Sequence, residues 1–283
     1  MVRAARWCVL LSMVLLHGAS LADNAEVAPG GWAGRHVAAT APAYPEGDAV
    51  AAWRGLAASY VRKAERDGSL DLDPVLNARV DRVMARVGTA VAAVDSRFSQ
   101  AVWRAILVER FGLGAAAFPG PIVIVDSAFV RRFRLTDDEL ALLLAHEAAH
   151  VIAGHAAMKL SYMAESLGKA RLPTARAALL EFLAEPKYAE AYRPVARLQE
   201  READMLGAAI LFATGHDTNR AMQVFDKLAA TESGNEDASD SHDTAAVRKR
   251  AVSAVLADLL QVHAAGDARP EGPGLPDRIT AGP

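Results

Sequence analysis

The sequence predicts one α+β domain, mostly helical with a small β-sheet. Three observations predict it. Alanine and leucine dominate the 283 residues while aromatics make up only 6%, which favours helices over a β-sandwich or barrel. Apolar residues recur at helical spacing through most of the chain, beginning with Trp53, Leu56 and Tyr60. One stretch departs from that period. Residues 102–108 and 122–125 are short and rich in β-branched side chains, and Gly112, Gly114 and Phe118-Pro119-Gly120-Pro121 lie between them, the pattern of two or three strands.

The elements follow in order. Arg3 and Arg6 precede a ten-residue apolar run, 7–16, and Ser20-Leu21-Ala22 supplies small residues for cleavage, so residues 1–22 read as a secretory signal. Ten apolar residues fall well short of the roughly 20 that a spanning helix needs. Cleavage after Ala22 removes two positive charges, taking the net charge from −3 to −5, and with them Cys8, the single cysteine. Cys8 lies too early for lipid attachment at that cleavage site, so a lipoprotein is not expected. Residues 23–48 are rich in Ala, Gly and Pro and read as a flexible leader.

The domain then runs over 49–264. Helices are expected at 49–66, closed by Gly68, and at 73–93 through Leu76, Val80, Val83, Met84 and Val87. After the strands, Thr136 with Glu139 forms a capping box that opens a long apolar helical run to about residue 158. Further helices are expected at 173–184, 194–213 (ended by Gly215), 217–230 and 243–264, with a polar loop at 232–242. The tail, 265–283, has little to bury and is expected to be disordered. The net charge of −3 and a pI near 6.2 carry no basic field for nucleic acid.

The chemistry concentrates in His146-Glu147-Ala148-Ala149-His150. Histidines at i and i+4 project from one helical face, so both imidazoles can reach one zinc ion. Glu147 adjoins the first of them, where it can take a proton from an attacking water and return it to a leaving amine. A catalytic zinc keeps three protein ligands and an open position. The third is sought in Glu200-Arg201-Glu202-Ala203-Asp204. Glu200 and Asp204 share a helical face, whereas Glu202 lies about 200° round from Glu200. Glu200 can therefore bind the ion while Asp204 accepts a hydrogen bond from the spare nitrogen of a ligand histidine.

These residues resemble a known family. HEAAH, EREAD some fifty residues later, Gly215-His216-Asp217, and Ser241-His242 with Arg248 six residues on look like the zinc gluzincin peptidases related to the CAAX prenyl proteases and HtpX. The resemblance is to their exported soluble branch and covers about residues 70–262. It implies a single zincin metallopeptidase domain with one zinc ion per chain. It implies His146, His150 and Glu200 as ligands, Glu147 as catalytic acid/base, Asp204 as orienting residue, and His242 and Arg248 as a late motif near the metal. Asp243 stands where the family has proline, and charges such as Lys159, Glu165, Lys169, Arg171 and Arg176 stand where many relatives are small and apolar. His242 keeps three readings: it stabilises the oxyanion, occupies the open zinc position, or faces solvent from its loop.

The resemblance further implies a periplasmic endopeptidase acting on unfolded or misassembled envelope proteins, with room for peripheral association with the outer membrane or its assembly machinery. Two rival classes stand beside it. One is a chaperone-like binding factor at that machinery, which would keep its phenotype in a Glu147→Gln variant. The other is a helical protein stapled by a closed four-ligand site, which needs His242 permanently bound. The stretch 115–121 is where relatives place a strand edge that pairs with extended substrate; a plain turn is the other reading. His155, five residues after His150 and nine after His146, would lie about 140° and 180° away on a continuous helix, outside the site. His36, His216 and His263 receive no chemistry. The sequence sets no substrate, cleavage preference or oligomeric state.

Overall fold

A computed structural model describes residues 43–168, 171–232 and 243–267. Residues 1–42, on which the expected signal segment and most of the expected leader fall, together with Lys169, His242 and residues 268–283, lie outside the described residues.

Helix α1 (Glu46–Asp67) begins three residues before the position expected and closes at Gly68, whose φ of 72° is the left-handed conformation of a helix C-cap. Ahead of it Tyr44 is buried and donates its hydroxyl to the Leu172 carbonyl at 2.8 Å. Helix α2 (Pro74–Val94) opens on proline, with the Asp73 carboxylate accepting from the Val75 and Leu76 amides. Three strands follow: β1 (Arg104–Val108), β2 (Ala115–Phe118) and β3 (Ile122–Asp126). Their order is β1-β3-β2, with β1 parallel and β2 antiparallel to β3. Central β3 is buried on both faces: Val123 and Val125 join one core, Ile124 the other, as alternation along a strand requires. β2 is an edge.

Asp126 caps the short helix α3 (Ser127–Arg132). The capping box predicted at Thr136 and Glu139 is present and opens α4 (Asp137–Ile152). The apolar run does not continue as one helix to residue 158. Gly154 takes a φ of 72° and the chain restarts as α5 (His155–Leu167), bent by 47° from α4. No single described helix is long and apolar enough to cross a membrane.

Helix α6 (Ala175–Ala184) matches expectation, but α7 (Pro186–Thr214) starts eight residues before Pro194. Pro186 stands in the first turn, where a missing amide costs nothing, and Pro194 sits inside the helix without an amide to donate to residue 190. Beyond Gly215 come α8 (Thr218–Ala221), α9 (Gln223–Glu232) and α10 (Ala245–Asp267), the first two replacing one expected helix. The architecture is the expected α+β domain with a small mixed sheet.

Helix α4 is buried on nearly every side, which explains why its sequence is apolar all round. It packs against α7, α2 and the edge strand β2. Gly207 makes the crossing with α7 close: a Cβ there would stand 3.0 Å from the His146 Cα and 3.1 Å from its amide nitrogen. That approach sets the first half of α7, two turns away, beside the histidines of α4.

Candidate metal centre

His146 and His150 leave α4 one turn apart, and Glu200 comes to them from α7. Their Nε2 atoms are 3.2 Å apart. Glu200 Oε2 lies 3.2 Å from His146 Nε2, and Oε1 lies 3.5 Å from His150 Nε2. Donors on a tetrahedral ion with bonds of about 2.0–2.1 Å stand roughly 3.3–3.4 Å apart. Two imidazole nitrogens and one carboxylate at these separations fit a small N/O-preferring cation such as zinc. The three residues that the sequence singled out as ligands are therefore brought together.

Asp204, one turn beyond Glu200, lies with Oδ1 3.0 Å from His146 Nδ1. Arg248 on α10 clamps the same carboxylate through both oxygens and covers the Phe225 ring at 5.5 Å. Burial alone would raise the Asp204 carboxyl, but Arg248 and His146 hold it well below the ordinary range. Burial likewise disfavours a charged His146, yet Asp204 and Glu200 overrule it and lift its pKa to about 10. The metal-free site thus holds a proton that a cation must displace.

Glu147, the residue between the paired histidines and the edge strand, accepts from the Ala117 amide of β2 at 2.8 Å. The stretch 115–121 is thus a strand at 115–118 followed by a turn, and its amide is already turned toward the carboxylate. His242 lies outside the described residues; its neighbour Asp243 pairs with Arg201, the residue after Glu200, at 2.6 and 3.0 Å. The family's proline is thus replaced here by an ion-pairing residue.

The sequence reading placed His155 away from the site because it assumed a continuous helix. The left-handed residue Gly154 instead breaks the helix, and its 47° bend brings His155, the first residue of α5, against His150. His155 Nδ1 lies 2.8 Å from His150 Nδ1, and its Nε2 lies 3.2 Å from Glu202 Oε2. Burial pushes the His155 pKa down against the pull of Glu202. A glycine inside an apolar helical run, just ahead of a histidine, is the signal that could have revealed this. His216 is structural: its Nδ1 lies 3.0 Å from Asp138 and ties the turn after α7 to the start of α4. Lys159, one of the charges foreign to the family pattern, rests among the rings of Trp53, Phe182 and Tyr192 at 5.6, 5.1 and 5.6 Å. Burial lowers its pKa.

Comparison with known proteins places this geometry in context. Residues 74–279 match the profile of peptidase family M48. A Vibrio cholerae protein named as a beta-barrel assembly-enhancing protease is 27% identical over 183 residues, a match that covers 60% of this chain and 36% of the relative. The matched region thus spans little more than a third of that relative's length.

Proposed function

The chain belongs to peptidase family M48, and from that premise we propose that it is a periplasmic zinc endopeptidase that hydrolyses peptide bonds of misfolded or unassembled envelope proteins. The single observation that carries the zinc reading is the convergence of His146 Nε2, His150 Nε2 and the Glu200 carboxylate: the two nitrogens stand 3.2 Å apart, with Oε2 at 3.2 Å from the first and Oε1 at 3.5 Å from the second. The signal-like residues 1–22 and the name of the Vibrio cholerae relative support the compartment and the substrate class.

When bound, zinc would supply Lewis acidity to a peptide carbonyl and lower the pKa of the attacking water. The residues of the chain divide the remaining work. His146, His150 and Glu200 would hold the ion. Glu147, on the same helix and facing β2, takes the proton from the attacking water and delivers it to the leaving amine. Asp204 fixes the tautomer of His146 by accepting from Nδ1, and Arg248 keeps Asp204 ionised and in place. The edge strand β2 offers backbone for an extended substrate, which would give recognition with little sequence preference.

The test is cleavage of unfolded casein by the zinc-loaded protein beside its Glu147→Gln variant, with zinc content measured in both. Cleavage by the parent alone, at about one zinc per chain in each, is the expected result. Equal cleavage by the two would remove Glu147 from the chemistry. Zinc bound without cleavage by either would favour the binding-factor reading.

A further inference from the structure

The two ligand histidines are braced differently. His146 Nδ1 meets a carboxylate directly, Asp204 at 3.0 Å. His150 Nδ1 meets another imidazole, His155 Nδ1 at 2.8 Å, and the carboxylate, Glu202 Oε2, stands behind that ring at 3.2 Å from His155 Nε2. Two facing ring nitrogens hold one proton between them. With Nε2 of His150 committed to a metal, its Nδ1 must carry the proton, so His155 Nδ1 accepts. His155 then carries its own proton on Nε2 and donates it to Glu202. Each atom has one role, and no donor is left facing a donor.

We propose that His155 and Glu202 are positioning residues for the zinc site: together they fix the tautomer and ring orientation of His150. The inference rests on the zinc reading above. The fold is arranged for it. Gly154 breaks the helix so that His155 meets His150, and α7 presents Glu200 and Asp204 on one face and Glu202 on another. One helix thereby supplies an ion ligand, the brace for His146 and the end of the relay for His150. His155 is only 4% exposed, so its ring is held in place against His150 by the packing around it.

The experiment is zinc affinity by chelator competition on the full chain, for the parent, His155→Leu, Glu202→Ala and Glu202→Gln. Losing a residue that orients a metal ligand weakens metal binding about 10- to 100-fold. That loss is expected for His155→Leu and Glu202→Ala. Glu202→Gln keeps an acceptor oxygen and is expected to recover most of the affinity. Melting of the metal-free proteins separates positioning from folding, because Glu202 is partly exposed and its removal should leave that transition in place. Nitrogen-15 spectra of the zinc-loaded parent, labelled at histidine, should show His150 protonated at Nδ1 and His155 at Nε2. These spectra keep the test decisive if His155→Leu fails to fold. A His155 protonated at Nδ1, or Glu202→Ala binding zinc as tightly as the parent, would overturn the relay. A parent that binds no zinc would overturn the zinc reading itself, a separate and recognisable outcome.

Discussion

The Arg248 guanidinium grips both carboxylate oxygens of Asp204, Nε at 2.9 Å and Nη2 at 2.8 Å. The pair joins α10 to α7 directly behind His146; Asp204 is buried and Arg248 nearly so, with side chains 5% and 16% exposed. A bidentate pair of this kind fixes direction as well as charge. The candidate metal centre is therefore braced by a helix that contributes no candidate ligand among the described residues.

Breaking that pair from one side should be costly. Arg248→Ala leaves His146 as the partner of the Asp204 carboxylate, and losing the charged hydrogen bonds from the guanidinium should cost about 1.5–3 kcal/mol. Removing Asp204 as well relieves part of it, so the double variant should lose less than the two single losses together. The coupling in a double-mutant cycle is expected to reach about 1–3 kcal/mol. Urea unfolding of the metal-free proteins measures it, and strict additivity would show that the pair does not act as a unit.

The raised pKa of His146 predicts a pH dependence with a definite sign. Asp204 and Glu200 hold its folded pKa near 10, above the ordinary value of about 6.5. The resulting stabilisation of the metal-free fold is fully present below about pH 6.5 and is lost as pH rises through 10. Zinc must expel that proton, so uptake at pH 8 should release about one proton from this group, and affinity should rise about tenfold per pH unit across the same window. Calorimetry in buffers of different ionisation heat counts the protons. An uptake independent of pH would mean that His146 is neutral in the empty site.

Gly207→Ala should destabilise, although alanine is the better helix former by up to about 1 kcal/mol. The added Cβ would meet backbone atoms of His146 at 3.0 and 3.1 Å, and backbone cannot rotate away. Forcing α4 and α7 apart should cost about 1–3 kcal/mol and weaken zinc binding, since the ligands are divided between those helices. Gly55→Ala in α1 is the control. There the nearest atom is an Arg176 nitrogen at 3.7 Å, and a gain of roughly 0.5–1 kcal/mol is expected. Thermal melts of the two variants should move in opposite directions.

What the sequence made legible was set by periodicity and short-range chemistry. Histidines at i and i+4, with Glu200 and Asp204 at i and i+4 fifty residues on, define faces of helices whatever their tertiary setting. That is why this ligand set could be named before the fold was known. Features decided by one backbone angle or by tertiary pairing were less visible. Ala115–Phe118 has little intrinsic strand preference, and its pairing with β3 makes it a strand. The expected start of α7 at residue 194 falls eight residues late because a proline inside a helix is locally unfavourable and only tertiary packing carries the helix through it. His155 was set apart on correct helical arithmetic applied to a helix that in fact turns at Gly154, and Glu202 because it lies on another face of α7 from Glu200, the face that meets His155.

That turn gives the last prediction. Nothing lies within 4 Å of a Cβ built on Gly154, and its φ is 72°. Gly154→Ala therefore meets no steric obstacle from neighbours, and any cost is purely that of holding an L-residue left-handed, about 1–2 kcal/mol. Asparagine tolerates this conformation better, so Gly154→Asn should cost less than Gly154→Ala. Relaxing the turn also draws His155 away from His150, so zinc affinity should fall in the same order. The alternative makes the opposite prediction. Were α4 and α5 one straight helix in solution, alanine would raise stability by up to about 1 kcal/mol, and His155 would point away from the site. The sign of the change in melting temperature for Gly154→Ala thus decides whether the turn that builds the His150–His155 contact exists in solution.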